Sequence, residues 1–256
     1  MSCSHAGLHS GSHGIGARSA AGSPAKGHMD EERRRFLRKG LVGGMAALGL
    51  AVLGPGRALA AGDEVRVSAN EDLMREHGVL IRLFLVYDEV AADLLAGKSP
   101  PKGVLAEGVE VMRRFGQDYH ERMEEEFVFA SFPSGPMATL SGILFSQHEA
   151  GRRVTARLAE LAKGGMQLAT DHNETAKLLH ALRRMYFPHL AREDTVLFPA
   201  FHATLSPEKY AEYGERFEEL ETKQLGAKGF EKTLATVAEL EKSMGIADLA
   251  SFTPKV

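Results

Sequence analysis

The sequence contains no tryptophan and a single cysteine, Cys3, among its 256 residues. One cysteine cannot close an internal disulfide, and it is too few for a zinc or iron–sulfur site built from thiolates. The chain also has no Gly-rich phosphate loop after a strand-like stretch and no Ser-His-Asp arrangement typical of a nucleophile. These absences exclude a disulfide-stabilised fold, a thiolate metal site and the commonest phosphate-binding loop.

Positive charge is scarce outside the first 60 residues. The full chain has 31 Lys and Arg against 34 Asp and Glu, a formal net charge of -3. Residues 61–256 alone carry 23 basic and 31 acidic side chains, a net charge of -8. A nucleic-acid-binding protein is expected to present a basic face, so nucleic acid is a poor candidate for a partner.

Residues 1–60 are predicted to be a targeting segment and its upstream extension rather than part of the fold. Residues 1–28 are rich in Gly, Ser, Ala and His and lack apolar periodicity, which predicts a disordered tail or an extension upstream of a true start at Met29. Residues 29–60 have a basic stretch, a short apolar run and small residues ending at Ala60, as in a cleaved signal peptide.

The kind of signal follows from two features of residues 29–60. The apolar run is about 13 residues, short of the roughly 20 that a membrane helix needs, so no stable membrane span is expected after processing. The order Arg33-Arg34-x-Phe36-Leu37 resembles a twin-arginine signal, which implies passage through export machinery to the periplasm or beyond. An ordinary secretory signal or an uncleaved anchor are the alternatives.

The mature body, residues 61–256, is predicted to be all-α. Apolar residues recur with helical spacing in four long segments separated by Gly and Pro breaks, and a capping box at Ser68 precedes the first of them. Short connections favour an up-down-up-down four-helix bundle, with one or two further helices near the C-terminus packed outside it. The predicted helices cover residues 70–96, 101–130, 137–163, 171–198, 208–224 and 230–244.

Two copies of the pattern His-x-x-x-Glu organise the chain, His120 to Glu124 and His189 to Glu193. Residues i and i+4 lie on one face of a helix, so each pair projects an imidazole and a carboxylate toward one point. The other two bundle helices each place one histidine on their apolar side, His77 and His148. These six residues are the candidate metal ligands of the chain.

Each of these residues also has an ordinary explanation. A single inward histidine is usually a hydrogen-bonded core residue, and a single His-x-x-x-Glu pair is usually solvated. The combination favours a metal because four imidazoles and two carboxylates buried together are costly to desolvate unless a cation compensates them.

The spaced motifs resemble the hemerythrin-like (HHE cation-binding) domain over about residues 69–225. The resemblance implies a four-helix bundle that holds a non-heme di-iron centre, with two iron ions bridged by carboxylates and by an oxo or hydroxo group. It implies His77, His120, His148 and His189 as terminal ligands and Glu124 and Glu193 as the bridges. The stretches that carry it are Glu76-His77, Tyr119-His120-x-x-x-Glu124-Glu125, Gln147-His148-Glu149 and His189-x-x-x-Glu193-Asp194-x-x-Leu197-Phe198-Pro199.

The chain departs from the oxygen-carrying hemerythrins at two positions. Arg152 stands where those proteins have a further histidine ligand, and Asp194 competes with Glu193 for the role of the last bridging carboxylate. The i+4 spacing favours Glu193, because it stays nearer the face of His189 than i+5. Six protein ligands for two irons leave room for water or a small ligand, and they also permit a single-metal site.

The leading interpretation is therefore an exported di-iron protein that binds, senses or buffers a small ligand, O2 or NO. An enzyme that reduces peroxide or oxidises ferrous iron at the same site is the first alternative. A mononuclear iron or zinc module and a metal-free helical bundle are the others.

Overall fold

The computed structural model describes residues 67–165 and 168–255. The proposed N-terminal extension and signal peptide lie outside these described residues. Within them all regular secondary structure is helical and no strand occurs, so the predicted all-α fold is confirmed. None of the described helices is long and apolar enough to cross a bilayer.

Seven α-helices, interrupted by shorter π- and 3₁₀-helical segments, make up the described chain. Their bounds agree with the predicted segments to within three residues at most starts, and the differences lie mainly where two helices change type. The α-helices are α1 (Ala69–Leu95), α2 (Val104–Val111), α3 (Gly135–Gly164), α4 (Ala169–Arg192), α5 (Phe198–Ala203), α6 (Pro207–Leu225) and α7 (Gly229–Ser243).

The four long rods of the bundle form a closed ring in chain order. The first rod α1 packs along α4, α4 along α3, α3 along the rod that begins with α2, and that rod returns to α1. Helices α6 and α7 contact each other, α1 and the α2 rod. Each neighbour in sequence is thus a neighbour in space, as expected of an up-down-up-down bundle with short connections.

Helix α1 shows how the sequence produces one of these rods. The Ser68 hydroxyl accepts a hydrogen bond from the Glu71 amide at 3.4 Å and caps the first turn. Leu73, Leu80 and Phe84 follow at helical spacing and are almost fully buried. The helix therefore turns one apolar stripe inward, and the same stripe carries its histidine.

The second rod differs from the single α-helix predicted for residues 101–130. After α2 it continues as a π-helical segment, Met112–Glu121, then a second one, Glu124–Val128, and ends in a 3₁₀ turn, Phe129–Ser131. A π-helical segment has a wider turn than an α-helix and is frequent at functional sites. The second of these segments begins at a predicted ligand.

The fourth rod repeats this change of helix type. Helix α4 passes through Pro188 to Arg192, a π-helical segment occupies Glu193–Leu197, and α5 follows without a break. At its start, the Asp171 carboxylate accepts from the Leu168 amide at 3.2 Å, so Asp171 lies in the first turn rather than before it. Both rods widen at the glutamate of the His-x-x-x-Glu pattern.

Candidate metal centre

The six predicted ligands come together in the middle of the bundle. One histidine from each of the four rods points inward, and the two glutamates lie between them. All six side chains are buried, with at most 2 % of their surface exposed: His77, His120, Glu124, His148, His189 and Glu193.

The first pocket is formed by His77 and His120 with one oxygen from each glutamate. Glu124 Oε1 lies 3.6 Å from His77 Nε2 and 3.4 Å from His120 Nε2. Glu193 Oε2 lies 3.6 Å from His77 Nε2. His77, His120 and Glu124 therefore offer three donor atoms around one point, and a Glu193 oxygen lies beside His77.

The second pocket is formed by His148 and His189 with the other oxygen of each glutamate. Glu124 Oε2 lies 3.5 Å from His148 Nε2, and Glu193 Oε1 lies 3.1 Å from His189 Nε2. The two Nε2 atoms are 3.1 Å apart. Since each carboxylate gives one oxygen to each pocket, Glu124 and Glu193 are both placed to bridge two cations.

These donor-to-donor distances fit a coordinated metal. Two donors at about 2.1 Å from one ion are about 3.0 Å apart at an octahedral angle and about 3.4 Å apart at a tetrahedral one. The inward atoms also lack other partners. No hydrogen bond within the described residues satisfies His77 Nε2, His120 Nε2 or either carboxylate oxygen of Glu124 and Glu193. Buried polar atoms without partners are rare, and a cation would satisfy all of them at once.

The histidines of the first pocket are oriented by two carboxylates. His77 Nδ1 donates to Asp194 at 2.7 Å, and His120 Nδ1 donates to Glu76 at 2.6 Å. A proton held on Nδ1 leaves the Nε2 lone pair free to face the pocket. Asp194, the alternative ligand in the sequence, therefore lies behind His77, while Glu193 faces the centre.

The second pocket uses one carboxylate and one amide for the same purpose. His148 Nδ1 donates to Glu125 at 2.9 Å, and His189 Nδ1 donates to the Gln147 side-chain oxygen at 2.8 Å. Both Nε2 atoms are then unprotonated, so their short separation is a contact of two lone pairs. A shared cation would turn this repulsive contact into a favourable one.

Two segments of sequence repeat the same set of contacts. We call residues 120–129 the first His/Glu segment and residues 189–198 the second. The first supplies three contacts to His148, from Glu124, Glu125 and Phe129. The second supplies three contacts to His77, from Glu193, Asp194 and Phe198. The centre therefore has an approximate twofold arrangement in which each segment completes the opposite pocket.

The phenylalanines of these segments cover two of the imidazoles. Phe198 stacks on His77 with ring centroids 5.3 Å apart, and Phe129 stacks on His148 at 5.4 Å. Phe198 is fully buried, whereas Phe129 is partly exposed. Both rings restrict the imidazoles to one orientation and help to keep bulk water from them.

Arg152 occupies the place of the further histidine of oxygen-carrying hemerythrins, and it does not face the pockets. Its guanidinium lies 2.6 Å from Glu125 and 2.9 Å from the buried Glu121, and it also contacts Glu149 at 2.8 Å. The Tyr186 hydroxyl donates a hydrogen bond to the other carboxylate oxygen of Glu121, Oε1, at 2.6 Å. Arg152 thus binds the carboxylates behind the second pocket and does not add a ligand.

Both tyrosines near the centre donate a hydrogen bond to a buried glutamate. Tyr119 donates to Glu76 at 2.6 Å, and Glu76 in turn accepts from His120. The Tyr186 hydroxyl lies directly over Gly151, where any Cβ would collide with it. Gly151 is therefore required for the position of Tyr186. The sequence around Gly151 does not indicate this requirement.

Burial keeps three of the four histidines neutral. Desolvation lowers the pKa of His77 and of His148 to about 4, and the pKa of His189 to about 3. His120 behaves differently. Burial also opposes its charged form, but the attraction of Glu124 and the hydrogen bond to Glu76 raise its pKa to about 10. Three imidazoles are thus ready to bind a cation and one must first release a proton.

The buried site favours the protonated form of both glutamates. Burial, and then repulsion by Glu193, raises the pKa of Glu124 well above its usual value. Burial also raises the pKa of Glu193, to about 8. Both shifts have the cause expected of carboxylates placed together without a compensating positive charge, and a bound cation would reverse them.

The sequence predicted the six inward side chains but not the residues behind them. Glu76 and Gln147 each precede a candidate histidine, yet each binds the histidine of a neighbouring rod rather than its own. Glu125 and Asp194 each follow a bridging glutamate. Their position next to ligands was the only available signal, because an acidic residue there is equally typical of a solvated face. His172, His180 and His202 are not among the residues that converge here.

Comparison with known proteins bears on this arrangement. The profile of the family described as the hemerythrin HHE cation binding domain matches residues 68–241. An uncharacterized protein of Mycobacterium tuberculosis and one of Mycobacterium bovis are each 40 % identical to the chain over 193 residues, which is 75 % of this chain and 76 % of theirs. No solved structure matches it.

Proposed function

The chain belongs to the hemerythrin HHE cation-binding family, and from that premise we propose that it is an exported non-heme di-iron protein that binds, senses or buffers O2 or NO. One observation carries the proposal. Two adjacent buried pockets each hold two imidazole nitrogens, and Glu124 and Glu193 each place one oxygen beside a histidine of each pocket. Nitrogen and oxygen donors without thiolate suit iron in this arrangement.

The residues of the site would bind the cations, orient the imidazoles and neutralise positive charge. Hydrogen bonds at Nδ1 fix the four imidazoles with Nε2 inward, and Glu124 and Glu193 together supply two negative charges to the pair of pockets. Iron in this site would supply reversible electron transfer to a diatomic ligand. Each pocket offers at most four protein donors, fewer than the about six of an octahedral ion, so a small ligand has a place to bind.

The surroundings favour a small, weakly polar ligand. Phe129 and Phe198 stack on opposite imidazoles, and the apolar core continues on both sides of the pockets. An uncharged diatomic molecule loses little hydration on entering such a region, whereas a charged substrate would lose a great deal. The chain thus selects by size and polarity.

The proposal is tested on protein isolated from its own host. Metal analysis should give two iron atoms per chain after anaerobic loading with Fe(II). Exposure to air or NO should then produce a charge-transfer band in the near-ultraviolet and visible range. Iron that stays well below one atom per chain after loading would refute it, and zinc in the isolated protein would favour the mononuclear zinc module instead.

The enzymatic alternative uses the same residues and is separated by counting turnovers. A binding protein takes up one ligand per di-iron site and then stops. Repeated consumption of peroxide or of Fe(II) by a catalytic amount of protein would instead assign the site to peroxide reduction or ferrous oxidation.

Export is the part of the proposal that rests on residues 29–60 alone. The pair Arg33-Arg34 before an apolar run motivates it. We expect the protein in the periplasmic fraction of its host, and we expect R33K/R34K to retain it in the cytoplasm. Export that is unaffected by this double substitution would indicate an ordinary secretory signal.

A further inference from the structure

The two pockets have the same ligands but different surroundings. Each has two Nε2 atoms, with an oxygen of Glu124 and an oxygen of Glu193 beside at least one of them, so the ligand types are the same in both pockets. The groups behind the imidazoles differ in charge. These outer partners are Glu76 and Asp194 for the first pocket, and Gln147 and Glu125 for the second.

The first pocket is backed by two carboxylates, one behind each imidazole. Glu76 and Asp194 accept from His120 and His77 at 2.6 and 2.7 Å. In the part of the chain that the structure describes, no Lys or Arg forms an ion pair with either of them. The further partner of Glu76 is the neutral hydroxyl of Tyr119.

The imidazoles of the second pocket have less negatively charged partners at Nδ1. The partner of His189 is the side-chain amide of Gln147, which is neutral. The partner of His148 is Glu125 Oε1, and Arg152 Nη2 lies 2.6 Å from that same oxygen. The guanidinium therefore offsets the one carboxylate that, among the described residues, accepts a hydrogen bond from an imidazole of this pocket.

Outer partners of this kind change how strongly an imidazole binds a metal. A carboxylate that accepts from Nδ1 increases the electron density at Nε2 and adds negative charge near the cation, whereas an amide does neither to the same extent. Loss of one such partner typically lowers metal affinity about 10–100-fold. In a buried site these charges are only weakly screened, so the difference between the pockets persists.

We propose that the outer partners make the two metal positions unequal, so that a divalent cation fills the His77/His120 pocket first and more tightly. The His148/His189 pocket fills second and exchanges its cation more readily. Glu76 and Gln147 are the positioning residues that determine this order, because they occupy equivalent places and differ in charge. The inference rests on the proposed binding of two cations, but it does not depend on the metal being iron or on any reaction with a ligand.

The experiment measures two stepwise affinities for Co(II) by competition with a chelator, for the full protein and two reciprocal variants. Glu76→Gln should lower the first affinity about 10–100-fold and leave the second nearly unchanged. Gln147→Glu should raise the second affinity by a similar factor and bring the two steps together. Glu126→Gln, an exposed position beside the centre, is the matched control and should change neither step.

The outcomes separate this inference from the proposed function. A fall in the second affinity on Glu76→Gln, or a rise in the first on Gln147→Glu, would reverse the order of the pockets and overturn the inference. Two Co(II) steps that neither variant moves would also overturn it while leaving a two-metal function standing. Failure of the wild-type protein to bind Co(II) would remove both. If Glu76→Gln does not fold, the Gln147→Glu variant decides alone, since residue 147 is half-buried and tolerates a charge.

Discussion

The two His/Glu segments have the same local pattern and end in different surroundings. In both, a histidine, a bridging glutamate, an acidic residue and a phenylalanine follow at matching intervals, and a π-helical segment begins at the glutamate. After the first segment the rod ends in a 3₁₀ turn before Pro133, and Phe129 stays partly exposed. After the second, α5 continues the rod, and Phe198 is fully buried. Local spacing thus determines which atoms face the centre, and the chain beyond each segment determines how well they are covered.

The largest effect should come from the two glutamates, and it should be the same for both segments. Glu124→Ala and Glu193→Ala each remove an oxygen from both pockets, so each should lower affinity at both metal positions by more than about 100-fold, beyond the effect of an outer partner. Metal content per chain after dialysis measures this. His77→Ala or His148→Ala should impair one position and spare the other.

The control for this comparison is Glu126→Ala, which removes an exposed acidic side chain next to the first segment. It should retain full metal content. Should Glu193→Ala impair only one position, the two segments would not be equivalent and the twofold description would be wrong.

The next effect is a pH dependence that both segments share. Metal binding requires ionised glutamates, and burial raises the pKa of Glu193 to about 8 and of Glu124 well above its usual value. Affinity should therefore rise as pH increases toward about 8, and further as His120, whose pKa is raised to about 10, loses its proton, about tenfold per pH unit for each proton released. Calorimetry in buffers of different ionisation enthalpy would count these protons at each pH.

The metal-free protein should show the opposite trend from the same carboxylate. A glutamate with a raised pKa favours folding fully below its unfolded value, and this contribution is lost as pH rises through the folded value. Glu193 should thus make the metal-free bundle less stable from about pH 4.5 to about pH 8. Equal affinity at pH 6 and pH 8 would contradict both expectations.

A smaller effect should appear at the two tyrosines, where the halves also differ in packing. Tyr186 is seated against Gly151 and Tyr119 needs no such glycine. Gly151→Ala should push the Tyr186 hydroxyl off Glu121 and lower the free energy of unfolding by about 1–3 kcal/mol. Urea denaturation measures the change.

Gly142→Ala on the same helix provides the control. No atom lies within 4 Å of a Cβ built at Gly142. An alanine there should raise the free energy of unfolding by up to about 1 kcal/mol, because alanine favours helix. Destabilisation by both substitutions would show that a loss at Gly151 does not come from Tyr186.

The sequence predicted the rods and the inward ligands because both depend on local periodicity. A histidine and a glutamate four residues apart share a helical face whatever the rest of the chain does. The π-helical segments could not be predicted in the same way, since a turn widened over Glu124–Val128 leaves the apolar pattern almost unchanged. The wider turn is recognisable only from the backbone.

The outer partners and the requirement for Gly151 could not be predicted from the sequence, for a different reason. The pairing of Glu76 with His120, and of Gln147 with His189, depends on how neighbouring rods are rotated against each other. Gly151 is explained by a hydroxyl from another helix. Such contacts are fixed by tertiary packing, which a single sequence does not specify.

The smallest effect should separate the two phenylalanines. Phe198→Leu removes a fully buried ring and should lower the free energy of unfolding by up to about 1.5 kcal/mol. Phe129→Leu should lower it by less, because Phe129 is partly exposed. Both substitutions free an imidazole from its stacking partner, so both should speed the release of Co(II) to a chelator. Phe129→Leu should have the larger kinetic effect relative to its stability loss, because the partly exposed Phe129 ring covers the fully buried His148. Equal stability losses in the two variants would mean that the continuation of the rod through α5 does not protect the second segment.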